Sequence, residues 1–180
     1  MSFRPDLYYR SVPDIDLDEL QRRGITALLI DLDNTLVLRN TLDATPAVRG
    51  WIAAALGRGF KICIVSNNWH ERVQSAADAL GLPIVNKAVK PLPGGFKRGL
   101  RLLDVRPSQA ATIGDQVFTD VLGGSLAGAT AILVMPLAGG SDLPHTRVLR
   151  ALERWILSGR EPLVRPGAPV LSVEGSGTGA

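Results

Sequence analysis

The sequence predicts an α/β fold, a Rossmann-like three-layer sandwich with a central parallel sheet of about five strands. Short apolar runs alternate with helical patterns along the chain, which is typical of a parallel sheet covered by helices on both faces. The length of 180 residues and the hydrophobic content of 46% suit one compact domain with short appendages. Polar side chains follow several of the apolar runs, as expected where a parallel sheet binds a ligand at the ends of its strands.

The strands are predicted where apolar runs are short and bounded by turn residues, at 25–31, 61–66, 83–86, 110–114 and 130–135. The helices between them are predicted from the spacing of apolar residues, near 45–58, 69–80, 93–104 and 116–127. Thr45 followed by Pro46 is typical of a helix start. Gly59, Gly81 and Gly128 follow three of the helices, where left-handed caps are common.

Two appendages flank the predicted domain, which we place at 25–159. Residues 1–24 are interpreted as an amphipathic lead-in with a helical segment at about 14–23. Another amphipathic segment lies near 144–158. From 160 to 180 the chain loses periodicity and is rich in Gly, Pro and Ser, which predicts a disordered tail.

Composition excludes several classes of protein. The single cysteine, Cys63, excludes an intramolecular disulfide and a multi-cysteine zinc site, and its place in "KICIV" predicts an inert buried thiol. No apolar run approaches the roughly 20 residues that span a bilayer, and the N-terminus lacks a signal-peptide pattern. We therefore expect a cytoplasmic protein. The net charge of +3 indicates modest attraction to anionic partners without choosing among them.

Polar residues stand at the carboxyl ends of four predicted strands, the edge at which open parallel sheets bind ligands. Burying unpaired carboxylates of like charge is costly, so the acids that end the first apolar run must face solvent or hold a cation. Clustered carboxylates in a chain with 2 histidines suit a hard cation, and Mg²⁺ is the usual choice when a substrate supplies phosphate oxygens. The residues, in chain order, are Asp31, Asp33, Ser66, Asn67, Asn68, Lys90, Asp115 and Asp120.

A lysine and a hydroxyl facing such a metal would hold a phosphoryl group. Lys90 and Ser66 are the candidates for that role. The sequence has no GxxxxGK[ST] motif, so a nucleotide-hydrolysing P-loop is not indicated.

The order of these motifs resembles the haloacid dehalogenase superfamily. "DLDNTL" resembles its DxDxT signature, "VSNN" its second motif, Lys90 in "VKPLP" its third and "IGDQVFTD" its fourth, across residues 25 to 135. The "PDLYYRSVPDIDLDELQRRGI" lead-in, "KPLPGGF" and "GDQVFTDVLGGSLAG" are further similar to the YqeG-type, subclass IIIA phosphatases. Relatives of that type include the phosphatidylglycerophosphate phosphatases.

The resemblance implies a phosphatase that works through an aspartyl-phosphate, with Mg²⁺ as cofactor. It makes Asp31 the nucleophile and Asp33 the general acid and base. Asp120 would be a ligand of a metal-bound water or a partner of Lys90. The implied metal site consists of the Asp31 carboxylate, the Asp33 backbone carbonyl and Asp115, and the implied phosphate site of Ser66, Asn67 and Lys90.

The expected substrate follows from the absence of room for a large cap domain. The segments 37–45 and 83–90 are too short to hold one, so the site should be open to bulky phosphate esters. By resemblance we expect phosphatidylglycerophosphate, met at the anionic inner membrane surface. The alternatives are a soluble phosphatase of nucleic-acid ends or small phosphate esters, and a catalytically silent binding module. An aromatic content of 5% does not favour nucleic acid.

The lead-in leaves two interpretations open. Its basic residues lie beside an apolar triplet, so the segment could rest on anionic lipid or could pack on the domain. Apolar faces of both kinds look alike in sequence. The basic residues are Arg4, Arg10, Arg22 and Arg23, and the apolar triplet is Leu7, Tyr8 and Tyr9.

Overall fold

A computed structural model describes residues 3–39, 41–137 and 162–163 of the chain. Within them, six parallel strands form one sheet in the order β1-β6-β5-β2-β3-β4, which confirms the α/β class with one strand more than expected. The strands are β1 (Leu7–Tyr9), β2 (Ala27–Ile30), β3 (Lys61–Val65), β4 (Ile84–Val85), β5 (Ala110–Gly114) and β6 (Thr130–Val134).

Helices connect the strands and cover both faces of the sheet. The helix predicted at 116–127 divides into a π-helical turn, Val117–Val121, and a short α-helix, and π-helical turns often occur at functional sites. No described helix is long and apolar enough to cross a membrane. The α-helices are α1 (Leu17–Arg22), α2 (Pro46–Gly57), α3 (Glu71–Leu80), α4 (Gly94–Leu103) and α5 (Leu122–Ala127).

Alternation along β2 produces the three layers, because successive side chains of a strand point to opposite faces. Leu28 and Ile30 belong to the larger apolar cluster, which includes side chains of α1, α2 and α3. Ala27 and Leu29 belong to the cluster formed with α4 and α5. Since β2 is buried on both faces, its sequence is continuously apolar rather than alternating.

The strand β1 is absent from the sequence-based prediction. It pairs in parallel with β6, from Leu7 opposite Ile132 to Tyr9 opposite Val134. Leu7 and Tyr9 are buried in the core, so the apolar part of the lead-in packs on the domain. With three residues, the strand is too short to show a period in sequence.

The C-terminal predictions lie almost entirely outside the described residues. This holds for the helix expected at 144–158 and for most of the tail expected at 160–180. Leu163 is an exception, since it forms a parallel bridge with Tyr9 and donates its N–H to the Tyr8 carbonyl at 2.7 Å.

Glycines allow the fourth motif to pack tightly. A Cβ atom at Gly114 would overlap the Asp120 side chain, and one at Gly124 would overlap Thr112. The "GGSLAG" segment therefore serves close packing inside a helix, in agreement with its sequence context.

Candidate active site

The carboxyl ends of β2, β3 and β5 meet at one point of the sheet. Because β2 lies between β3 and β5, the chain leaves in opposite directions on its two sides, which creates the crevice where open α/β sheets bind ligands. Asp31 follows β2 directly, Ser66 follows β3 and Asp115 follows β5. The strand ends thus bring together the residues that the sequence singled out.

A compact turn after β2 fixes the first motif. The Asp31 N–H donates to the Ile113 carbonyl at 2.8 Å, which ties the start of the turn to β5. The Leu32 carbonyl accepts the N–H groups of Leu36 and Val37, at 3.0 and 3.1 Å. Asn34 adopts a left-handed conformation with φ 62°, which this residue type tolerates. These bonds hold the backbone that carries Asp31 in one conformation.

Lys90 is buried between two carboxylates. Its Nζ donates to Asp31, and it also donates to Asp120 Oδ1 at 2.6 Å. Only 8% of Lys90 is exposed to solvent. Burial alone would lower the pKa of the Lys90 ammonium, but Asp120 and Asp31 raise it above its usual value. The lysine therefore stays charged and adds one fixed positive charge to the site.

Three carboxylates surround this position. One oxygen atom from each of Asp31, Asp115 and Asp120 lies within 4.8 Å of the others, and all three residues are buried. Asp120 thus both contacts Lys90 and belongs to the acidic group, although the sequence left it between two roles. The Asp33 carboxylate does not belong to this group. The family resemblance implies that Asp33 would bind the metal through its backbone carbonyl and not through its carboxylate.

The charge balance of the cluster fits a divalent cation. Three carboxylates lie within one group, and the Lys90 ammonium pairs with two of them, Asp31 and Asp120, so the acids of this group outnumber the lysine. The ligand set consists of oxygen atoms, which Mg²⁺ prefers. The residues present are therefore suited to hold one such ion.

The pKa of Asp31 reflects this imbalance. Burial, together with the neighbouring Asp120 and Asp115, raises the pKa of Asp31 to about 8 against the lowering effect of Lys90. A divalent cation would act in the opposite direction, because positive charge favours the ionised carboxylate. Cation binding and ionisation of Asp31 are thus expected to support each other.

Ser66 and Asn67 differ in what their side chains do. The Ser66 hydroxyl is buried, accepts the Asn68 N–H at 3.1 Å and can still donate its own hydrogen. The Asn67 side chain holds the backbone of Lys90, because its Oδ1 accepts the Lys90 N–H at 2.6 Å and its Nδ2 donates to the Lys90 carbonyl at 3.2 Å. In this arrangement the Asn67 side chain positions the lysine.

Arg72 is a residue that sequence reasoning missed. It lies in the first turn of α3, where its guanidinium pairs with the Asp33 carboxylate and donates to the Thr41 carbonyl at 2.9 Å. Arg72 thus links α3 to both ends of the segment that follows β2. Its position in sequence could have indicated its place near the site. Arg72 lies near the amino end of the helix that follows the second motif, and that end of the helix lies at the same edge of the sheet as the site.

The site opens to solvent beside an apolar wall. A cleft of about 610 Å³ is lined by Asn67, Trp69, Lys87, Val89 and Lys90. The described segments 37–39 and 41–45 form no inserted cap domain. Val89 has a φ of 57°, a conformation that costs a β-branched residue about 1–3 kcal/mol.

Comparisons with known proteins show which family and which sequences this chain is similar to. A family model described as haloacid dehalogenase-like hydrolase matches residues 14–128. A probable phosphatase, YqeG of Bacillus subtilis, is 40% identical over 156 residues, which are 87% of this chain and 90% of that protein.

More distant relatives share the sequence or the fold. The phosphatidylglycerophosphate phosphatase 1 of Arabidopsis thaliana is 27% identical over 88% of this chain, which spans 50% of that protein. Among solved structures, the cobalt-bound deoxy-D-mannose-octulosonate 8-phosphate phosphatase of Haemophilus influenzae superposes with a TM-score of 0.50 at 16% identity. That superposition covers 75% of this chain and 88% of the other, and it shows a shared fold.

Proposed function

The chain belongs to the haloacid dehalogenase-like hydrolases and is a phosphatase of that family, and we propose that it hydrolyses phosphatidylglycerophosphate or a similar lipid phosphate monoester with Mg²⁺. The observation that carries the chemical part is the buried group of Asp31, Asp115, Asp120 and Lys90 at the switch point of the sheet. Nothing in the packing of an α/β fold requires such a group.

In the proposed reaction, a carboxylate oxygen of Asp31 attacks phosphorus and the bond to the leaving oxygen breaks. The acid form of Asp33 gives its proton to that oxygen, so the alcohol leaves neutral. The Asp33 carboxylate then takes a proton from water as the water oxygen attacks phosphorus. Inorganic phosphate forms and Asp31 is released, so one difficult hydrolysis is divided into two easier steps.

The other groups of the site stabilise charge or hold position. The Lys90 ammonium and the Ser66 hydroxyl would neutralise the transferred phosphoryl group as its charge spreads over the equatorial oxygens. Asn67 holds the backbone of Lys90, and Arg72 orients the Asp33 carboxylate by its ion pair. A bound Mg²⁺ would polarise the phosphoryl oxygens and offset the repulsion among the acids.

The lipid part of the proposal rests on three observations. The site has no cap among the described residues, and exposed apolar side chains stand beside its cleft. A relative with 27% identity is named as a phosphatidylglycerophosphate phosphatase. An open site with an apolar border is suited to a phosphate that projects from a lipid surface.

A substrate panel tests both parts. Turnover of an aryl phosphate should require Mg²⁺ and disappear with excess chelator, and phosphatidylglycerophosphate in mixed micelles should be the preferred substrate by kcat/KM. Full activity in chelator would contradict the metal assignment. Hydrolysis of small soluble esters together with inert lipid would leave the phosphatase chemistry intact and replace the lipid by a soluble substrate.

A further inference from the structure

Three exposed apolar side chains, which we term the rim, stand beside the active-site cleft. They are Trp69, Val89 and Leu92, with 60%, 60% and 61% of their surface exposed. Trp69 lies in the loop after β3, and the other two lie in the loop after the neighbouring β4. The Leu92 N–H donates to the Val89 carbonyl at 3.0 Å, so these two residues belong to one turn.

The surroundings of the rim are cationic. The Lys87 ammonium lies 5.8 Å from the centre of the Trp69 ring. Arg98 donates from α4 to the backbone carbonyls of Asn86 and Lys87. The two loops that carry the rim, residues 66–70 and 86–93, contain no carboxylate, and Lys87 is their exposed lysine, since Lys90 is buried. A negatively charged surface would therefore meet no acidic side chain from these loops.

The conformation of Val89 is a second sign that the rim has a role. A φ of 57° is adopted most easily by Gly or Asn. Val89 is exposed, so burial of its side chain does not offset the cost of this conformation. Neither local conformation nor core packing accounts for a valine there. Strained residues of this kind cluster at sites that bind or react.

We propose that the rim and Lys87 dock the enzyme on an anionic lipid bilayer, with the active-site cleft facing the phosphate headgroups. The inference rests on the proposed function in that the substrate is a lipid phosphate, whereas docking itself needs no catalysis. Tryptophan prefers the boundary between headgroups and acyl chains, and a lysine beside it is attracted by anionic lipid.

A bilayer fits the rim better than a protein partner. Stable protein interfaces bury about 1,200–2,000 Å² in total. Three side chains at one cleft offer only a fraction of that area, but aliphatic and aromatic side chains of this number suffice for reversible attachment when electrostatic attraction assists. Weak attachment also suits an enzyme that must leave one substrate molecule for the next.

The rim also replaces the surface that the sequence suggested. Leu7 and Tyr9 are buried, and Arg22 and Arg23 pair with Glu19. Arg22 ends α1 and Arg23 follows it, shortly before β2 begins at Ala27, at the edge of the sheet opposite the active site. A flat membrane in contact with the cleft could not reach them at the same time.

Vesicle binding by the full-length chain tests the proposal. The rim variant is Trp69→Ser/Leu92→Ser, and the matched control is Leu56→Ser/Leu102→Ser, which removes two exposed leucines from the ends of α2 and α4 at the opposite edge. We expect cosedimentation with vesicles of phosphatidylcholine and phosphatidylglycerol to fall at least tenfold for the rim variant and to stay within twofold for the control.

The lipid composition separates the two contributions. Binding to vesicles of phosphatidylcholine alone should be much weaker, and Lys87→Gln should reduce binding only when phosphatidylglycerol is present, an effect that decreases as salt rises. The kcat for a soluble aryl phosphate should stay within about threefold of the wild type in every variant, since none of the changed residues touches the reacting groups, whereas a lost contact between the aryl ring and the cleft wall would change KM.

Failure of docking and failure of the proposed function give different results. Vesicle binding that depends on the rim, without hydrolysis of any phosphate ester, would support docking and reject the function. Hydrolysis of the aryl phosphate by a protein that binds no anionic vesicle would overturn docking alone. Equal vesicle binding by the wild type and the rim variant would also overturn docking.

A third result would overturn docking in favour of self-association. If the wild type binds no vesicle but forms a dimer, and the rim variant is a monomer, the rim contacts a second copy of the chain.

Discussion

The two edges of the sheet differ in where they place their charged side chains. At the amino edge, Arg58 and Asp18 form an ion pair on the surface, while Leu20, in the same helix as Asp18, is buried. At the carboxyl edge, Lys90 is buried among carboxylates, while Trp69 is exposed. The amino edge keeps its charges at the surface, as is usual, whereas the carboxyl edge buries a charge.

The buried charge and the exposed apolar side chains of the carboxyl edge lower the stability of the fold, which indicates that they serve function. Buried charge is tolerated only with partners in place, and exposed apolar groups gain nothing from folding. The amino edge should therefore tolerate substitution, whereas the carboxyl edge should respond strongly both in activity and in stability. The predictions below test that contrast.

The largest effect is expected from Asp31→Asn. An amide of nearly the same shape is a poor nucleophile, so turnover of an aryl phosphate should fall by about 10⁴-fold or more. The fold should persist, because the buried group loses one of its mutually repelling charges. Single-turnover assays together with circular dichroism measure both quantities. Comparable turnover in a folded variant would remove Asp31 from the role of nucleophile.

Lys90→Met should lower stability more than any change of a surface cation. It leaves the buried carboxylates of Asp31 and Asp120 without their ammonium, and removal of one partner from a buried ion pair costs about 3–5 kcal/mol. The matched control is Arg58→Met, which breaks an exposed pair and should change the free energy of unfolding by about 0.5 kcal/mol or less.

Urea unfolding in the presence of chelator gives both free energies, because bound metal would otherwise compensate the missing charge. A loss below about 1 kcal/mol for Lys90→Met would mean that the carboxylates are relieved in another way, for example by protonation. The two edges would then differ in the placement of their charges but not in how much those charges contribute to the free energy of unfolding.

The sequence predicted which residues meet at the carboxyl edge better than it predicted how they pair. Asp31, Ser66 and Asp115 could be placed because each follows an apolar strand, and strand ends of a parallel sheet converge. The pairing of Asp33 with Arg72 joins residues 39 positions apart, and no local pattern encodes such a contact. The exposure of Val89 depends on a left-handed turn, and a valine in the sequence does not predict that conformation.

The lead-in shows the same limit. Its apolar residues could be found, but a strand of three residues has no period, so the partner of Leu7 and Tyr9 could not be inferred. Whether an apolar face meets the core or a membrane depends on contacts made across the whole chain, here with β6.

The pH dependence of stability should also distinguish the edges. Burial raises the pKa of Asp31 to about 8, so the folded, metal-free protein keeps a proton that the unfolded chain loses at about pH 4. The contribution of Asp31 to the free energy of unfolding is therefore fully present below about pH 4. It is lost as the pH rises through about 8, because the folded state binds more protons than the unfolded state between these two values.

Melting temperatures in chelator should therefore fall for the wild type relative to Asp31→Asn between about pH 5 and pH 8, since only the wild type must ionise this carboxyl. Mg²⁺ should reduce the difference, because it favours the ionised form. Parallel curves for the two proteins would show that Asp31 titrates as an ordinary aspartate and that the cluster carries no uncompensated charge.

The smallest effect is expected at the amino edge, from Arg22→Gln/Arg23→Gln. Both arginines are exposed and pair with Glu19 within one helix, at 3.0 and 2.7 Å. Removal of their charge changes the long-range attraction to anionic vesicles slightly, but they lie on the side of the sheet that faces away from the cleft. Vesicle binding and lipid turnover should therefore stay within about twofold of the wild type, since charges beyond roughly 10 Å from a surface are screened at physiological salt. Lys87→Gln, which removes one charge from the carboxyl edge, should have the greater effect despite removing only half as much charge. If the amino-edge variant instead loses lipid turnover while it keeps turnover of the aryl phosphate, the enzyme meets the membrane through α1 and not through the rim.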